Sequence, residues 1–170
     1  MLNSYVALDI ETTGLNPAKD SIIEVGAIRI ENGTVTDMLS TLVNPGYHIP
    51  DRITDITGID DDMVKDADTI EKVFPRLLEF LGKDCVIVAH NANFDVGFLK
   101  QNAKALGYEF DYTYLDITLY LITVLSRKPP PIIRLHTREW ELTHISLLRP
   151  YCRIFRAKVW RHYADILELM

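Results

Sequence analysis

The sequence predicts an α/β fold in which a mixed sheet is flanked by helices, and three observations predict it. Apolar runs of strand length stand at 5–10 (YVALDI), 22–30 (IIEVGAIRI) and 85–89 (CVIVA). The pair Asn32-Gly33, just after the second run, is the strongest short hairpin signal. From Ile70 the apolar spacing changes to a helical one. Strands joined first by tight turns and then interleaved with helices give a sheet of mixed direction covered by helices.

The first strand, 5–10, ends in acid and is broken by the loop TTGLNPAKD, with Gly14 and Pro17. The second, 22–30, turns through Asn32-Gly33 into a third over 34–43, which Asn44-Pro45-Gly46 ends. Three strands joined so tightly form an antiparallel meander. Residues 51–68, rich in Asp and Thr, are expected as loop with one helical turn. Ile70, Val73, Phe74, Leu77, Leu78 and Leu81 then share one face of an amphipathic helix. Asp68 or Thr69 caps it, Gly82 closes it, and Pro75 gives it a mild kink. A strand at 85–89 leads to a helix over 94–106 with Phe98, Leu99 and Leu106 inward. A last short strand is expected over 112–115 and a helix over 116–125. The prolines at 129–131 mark the best boundary, beyond which only 155–169 reads as helix. The chain thus divides into an orderly domain, 1–126, and an atypical segment, 127–170, that completes or replaces the end of the same domain.

A chain of 170 residues, 48% hydrophobic and 25% charged, has the size and composition of one soluble globular domain. No stretch approaches the roughly 20 apolar residues of a membrane span, so no membrane partner is expected. The start, MLNSYVALDIE, lacks a basic n-region and a cleavage site, and no signal peptide is expected. Cys85 and Cys152 are isolated and suit a reducing cytoplasm, with a single disulfide left open. The formal charge of −6 argues against a generic nucleic-acid coat, which is ordinarily basic. It leaves room for an enzyme that gathers divalent metal with carboxylates. Residues 1–126 carry 9 Lys/Arg against 20 Asp/Glu, whereas 127–170 carry 9 against 4. The basic end is either a substrate-facing tail or a segment of different origin.

Asp9 and Glu11 stand at i and i+2 where the first strand ends, so both side chains point to one face. Two such carboxylates repel each other and cost stability unless a cation lies between them. Hard oxygen ligands favour Mg²⁺ or Mn²⁺ over zinc. Taken alone, Asp-x-Glu is common at solvated strand ends. His90-Asn91-Ala92-Asn93-Phe94-Asp95 follows the 85–89 strand and opens a helix. An acid in a first helical turn is ordinary capping. If the neighbouring strand is the first one, however, Asp95 completes a three-carboxylate cluster.

LDIETTGL at 8–15 and HNANFDVGFL at 90–99 resemble the first two motifs of the DEDD-type 3′→5′ exonucleases, the DnaQ-like family. The resemblance is to the proofreading domain of PolC-type DNA polymerase III and to the epsilon subunit in particular. It extends through DSIIEVGAIRIENG and LVNPGYHIPDRITDITGIDDDMV and covers about 5–116. It implies a ribonuclease-H-like fold and two divalent cations, Mg²⁺ or Mn²⁺. Asp9 would bridge both metals, Glu11 would bind one and touch the terminal 3′ hydroxyl, and Asp95 would bind the second. Thr12, Thr13 and Leu15 match positions that cradle the terminal nucleotide, and Phe94 matches one beside it. A core role for the Phe94 ring is an equal alternative. The substrate implied is a single-stranded or frayed DNA 3′ end in replication proofreading or repair, with a DNA polymerase subunit as partner. Trimming of RNA 3′ ends is the alternative with the same chemistry.

The pattern fails near the C-terminus. The family places a fourth carboxylate five residues after a histidine or tyrosine, and the histidine is the general base. If His144 is that base, the position five later is Arg149, which cannot ligate metal. His162 is followed by Asp165, at a spacing of three rather than five, as a substitute metal ligand. Asp116 matches a family position outside the usual metal set. Residues 117–152 are unlike the family in composition too. They are a frameshifted or decayed stretch, the favoured reading because a working fold shows periodicity, or a divergent basic tail on the nucleic-acid backbone. Impaired activity is expected, and a catalytically silent nucleic-acid-binding module is the reading from a different class.

Overall fold

The computed structural model describes residues 4–117. The meander forms as β1 (Ser4–Thr12), β2 (Ile22–Glu31) and β3 (Thr34–Leu42). There follow α1 (Asp51–Thr57), α2 (Asp61–Val64), α3 (Ile70–Leu81), β4 (Val86–Ala89), α4 (Ala92–Leu106) and β5 (Thr113–Asp116). The sheet order is β3-β2-β1-β4-β5. β1 runs antiparallel to β2 and parallel to β4, and β5 is parallel to β4. The β2–β3 turn holds Asn32 and Gly33 at φ 50° and 76°, the left-handed values a two-residue hairpin requires.

Alternation along β1 separates two faces. Val6, Leu8 and Ile10 pack with Val73, Phe74 and Leu77 of α3 and with Phe98 and Leu99 of α4. Tyr5 and Ala7 point the other way and join Ile28, Ile30 and Val88. Asp9 and Glu11 continue the second series, so they stand on the face opposite the two long helices. A further cluster seats Ile49, Ile53, Ile59 and Val64 against Ile23 at the start of β2.

Four expectations change. Residues 51–68 contain two helices rather than loop, because Ile53 and Val64 are buried on that third cluster. Asp60 also caps α2 by accepting the Met63 N–H at 2.9 Å. The helix expected from 94 begins at Ala92, whose N–H is accepted by Asp116 Oδ2 at 3.1 Å. Asp116 itself closes β5 opposite Ala89 instead of opening a helix. At α3, Thr69 occupies the N-cap position without a side-chain cap bond. Asp68 pairs instead with Lys72 and Arg76, at 3.2 and 3.3 Å. The helices expected over 116–125 and 155–169 and the boundary at 129–131 lie outside the described residues.

Candidate active site

The site follows from unequal strands. Pairing of β1 with β4 ends at Ala7↔Val88, while β1 runs on to Thr12. The Ile10 N–H therefore lies past the last strand partner on that side. Asp95, in the first turn of α4, accepts it at Oδ1 over 2.9 Å. Asp95 is wholly buried, so the bond is shielded from competing water. The acid of the second motif is thus fixed to the peptide between Asp9 and Ile10, one residue before Glu11. Asp9 and Glu11 are themselves buried, at 4% and 9% exposure. Among the described residues, no group of three or more His, Cys, Asp or Glu side chains is arranged to hold a metal ion.

The register with β2 supplies what the motifs do not show. Asp9 faces Gly26 and Glu11 faces Glu24. Glu24 is buried at 6% exposure directly opposite Glu11, a placement of like charges that costs stability. Its signal in the sequence is a lone acid inside the apolar run IIEVGAIRI, meaningful only once the hairpin register is known. The carboxylate oxygens of Asp9, Glu11 and Asp95 are the donor type that hard divalent cations prefer.

The loop after Glu11 is internally bonded. Thr13 N–H donates to Ser21 O at 2.8 Å, and Ser21 N–H donates to Thr13 Oγ1 at 2.9 Å. Thr12 Oγ1 donates to Gly14 O at 2.6 Å, and Asn16 N–H to Asp20 Oδ2 at 2.7 Å. A Cβ on Gly14 would press on that carboxylate, so a side chain there requires Asp20 to move. Thr12 and Thr13 are buried with their hydroxyls engaged in the loop, whereas Leu15 is 78% exposed. Phe94 packs on Phe98 with ring centroids 5.0 Å apart, at the margin of the α3–α4 core. Burial pushes the Cys85 thiol up from its ordinary value, which keeps it protonated. His144, Arg149, His162, Asp165 and Cys152 lie outside the described residues. No helix among the described residues is long and apolar enough to cross a membrane.

The chain is similar to known proteins in sequence and in fold. The exonuclease family model RNase_T matches residues 6–129. The PolC-type DNA polymerase III of Caldanaerobacter subterraneus is 54% identical over 112 residues, 66% of this chain and 8% of that one. The PolC-type enzyme of Oceanobacillus iheyensis is 40% identical over 145 residues, 85% of this chain and 10% of that one. A putative bifunctional exonuclease/endonuclease protein of Mycobacterium tuberculosis is 40% identical over 139 residues, 78% of this chain and 21% of its own. The chain therefore spans only a small part of these relatives' lengths. Among solved structures, Escherichia coli Exonuclease I in complex with a dA16 oligonucleotide superposes with a TM-score of 0.63 at 19% identity. That match covers 71% of this chain and 29% of the other, and it shows the ribonuclease-H-like fold.

Proposed function

This chain belongs to the exonuclease family, and from that premise we propose that it is a metal-dependent 3′→5′ exonuclease acting on single-stranded or frayed DNA ends. The observation that carries this reading is the bond from Ile10 N–H to Asp95 Oδ1, which brings the second motif to the strand end bearing Asp9 and Glu11. These three acids would hold two divalent cations, Mg²⁺ or Mn²⁺. Bound there, such ions would supply Lewis acidity for phosphodiester hydrolysis. The chain's own contribution is placement. Asp95 is held by the backbone before any metal arrives, and the bonded loop 13–21 presents Leu15 outward for the terminal nucleotide. Phe94 would border that nucleotide from α4. His144 is the proposed general base, and Asp165 the proposed further metal ligand. The relatives' names support a role in replication proofreading or repair beside a DNA polymerase. The oligonucleotide held by Exonuclease I supports a DNA strand, and an RNA 3′ end remains the alternative substrate.

A second reading, a catalytically impaired nucleic-acid-binding module, is favoured by one observation. After residue 116 no histidine is followed five residues later by aspartate. Labelled single strands of DNA and RNA, with Mg²⁺, Mn²⁺ or EDTA, test both. The exonuclease reading expects mononucleotides released from the 3′ end, with none in EDTA and none from Asp9→Asn. Internal cuts, release in EDTA or unchanged cleavage by Asp9→Asn would overturn it. Strand binding with no release supports the second reading.

A further inference from the structure

Tyr47 lies in the bend between β3 and α1, and no motif singles it out. Its hydroxyl donates to Ser21 Oγ at 3.0 Å and lies 2.7 Å from Thr13 Oγ1. A phenol has one proton, and Ser21 receives it, so the Thr13 hydroxyl is the donor to Tyr47. The tip of the side chain is thus tied to both ends of the loop that begins two residues after Glu11. The backbone on either side is fixed as well. Gly46 N–H donates to Asn44 Oδ1 at 2.8 Å, and Ile49 N–H donates to Asp61 Oδ1 at 2.8 Å. Despite this anchoring, 48% of Tyr47 is exposed, and Leu15, at the tip of the same loop, is 78% exposed.

A tyrosine bonded at its tip and at its backbone, yet open along its ring, has little conformational entropy left to lose on contact with a ligand. Residues 1–126 carry 9 Lys/Arg against 20 Asp/Glu, so cations to grip a phosphate backbone are few. Contact of this part of the chain with a single strand then draws more on the bases than on the phosphates. Stacking of bases on aromatic rings provides it without regard to sequence, because every base has a π-face. We propose that the Tyr47 ring is a stacking platform for a nucleobase of the strand entering the site. This rests on the nucleic-acid reading above and adds a positioning residue to it.

The test measures anisotropy of a labelled oligo-dT strand on the full chain, in EDTA and again in Ca²⁺. Wild type is compared with Tyr47→Phe and Tyr47→Leu, each first checked for an unchanged thermal melt. Tyr47→Leu is expected to bind about five- to a hundredfold more weakly, and Tyr47→Phe, which keeps the ring, within about threefold of wild type. An abasic residue is then placed in turn at each of the last four positions of the strand. At one position wild type should fall to the affinity of Tyr47→Leu, while Tyr47→Leu itself does not respond. Equal binding by wild type and Tyr47→Leu would overturn the proposal alone. So would Tyr47→Phe as weak as Tyr47→Leu, which makes Tyr47 a loop anchor, or an abasic series without such a position. No strand binding by wild type under either condition would overturn the nucleic-acid reading together with it.

Discussion

The proposed site gives Asp95 a role in the reaction beside its bond to Ile10, and two substitutions separate the two. Asp95→Asn removes the charge but keeps an oxygen able to accept the Ile10 N–H. Asp95→Ala removes the charge and the acceptor. Relief of like-charge repulsion among the buried acids is common to both, so it cancels when they are compared with each other. What remains is a buried N–H deprived of this acceptor, worth about 1–3 kcal/mol. Asp95→Ala should therefore be less stable than Asp95→Asn by that amount, a difference of several degrees in melting temperature for a domain of this size. Urea titration followed by far-UV circular dichroism, without metal, reads it directly. Nuclease turnover should fall about 10²-fold or more in both, because each loses charge preorganised for the reaction. Equal stability of the two variants would show that the Ile10–Asp95 bond carries no weight. Wild-type turnover in Asp95→Asn would remove Asp95 from the reacting centre.

Asp9→Asn should leave the metal-free melting temperature unchanged or raised, since a like charge leaves the face shared with Glu11 and Glu24; a fall of several degrees refutes this. Arg29 donates to the Phe80 carbonyl, reaches Leu81 O at 3.4 Å and lies 5.3 Å over the Phe80 ring. Arg29→Met should cost about 1–3 kcal/mol in a urea melt by releasing the end of α3 from β2. His48 is held above its ordinary 6.5 by its bond to Asp61 and then by the Asp61 charge. Its stabilising contribution is complete below 6.5 and is lost as pH rises through the raised value. Asp61 is held below 3.8, first by the Ile49 N–H and then by His48, and its contribution is lost as pH falls through the lowered value. An NMR titration of His48 in Asp61→Asn should return its midpoint towards 6.5, and an unmoved midpoint refutes the pairing.

Much of this was legible where local signals and tertiary packing agree. Asn32-Gly33 demands a hairpin wherever it stands between strands, and the spacing from Ile70 to Leu81 specifies one buried helix face. The helices within 51–68 were not legible. Their Asp and Thr residues weigh against helix locally, and the burial of Ile53 and Val64 that overrides them depends on Ile23, far away in sequence. The period-2 rule placed Asp9 and Glu11 on one face, but the reach of Asp95 to Ile10 required knowing that β4 lies beside β1 and stops short of it. Glu24 was hidden for the same reason. Cross-strand neighbours are set by register, which motifs do not encode.

The acidic residues fall into two populations, and the contrast bears on function more than the net charge does. Exposed acids have local structural work. Asp60 caps α2, Asp61 holds His48 and the Ile49 N–H, Asp62 pairs with Lys65, and Asp68 pairs with Lys72 and Arg76. Such surface pairs contribute little to stability and cost little to keep in water. Asp9, Glu11, Glu24 and Asp95 are different, because they are the buried acids among the described residues. All four attach to one end of two adjacent strands: Asp9, Glu11 and Glu24 by register, Asp95 by its bond to Ile10. Scattered buried acids would suggest isolated structural bonds. Four attached to one strand end, where each raises the cost of burying the others, are the acids on which the proposed metal-dependent chemistry would draw.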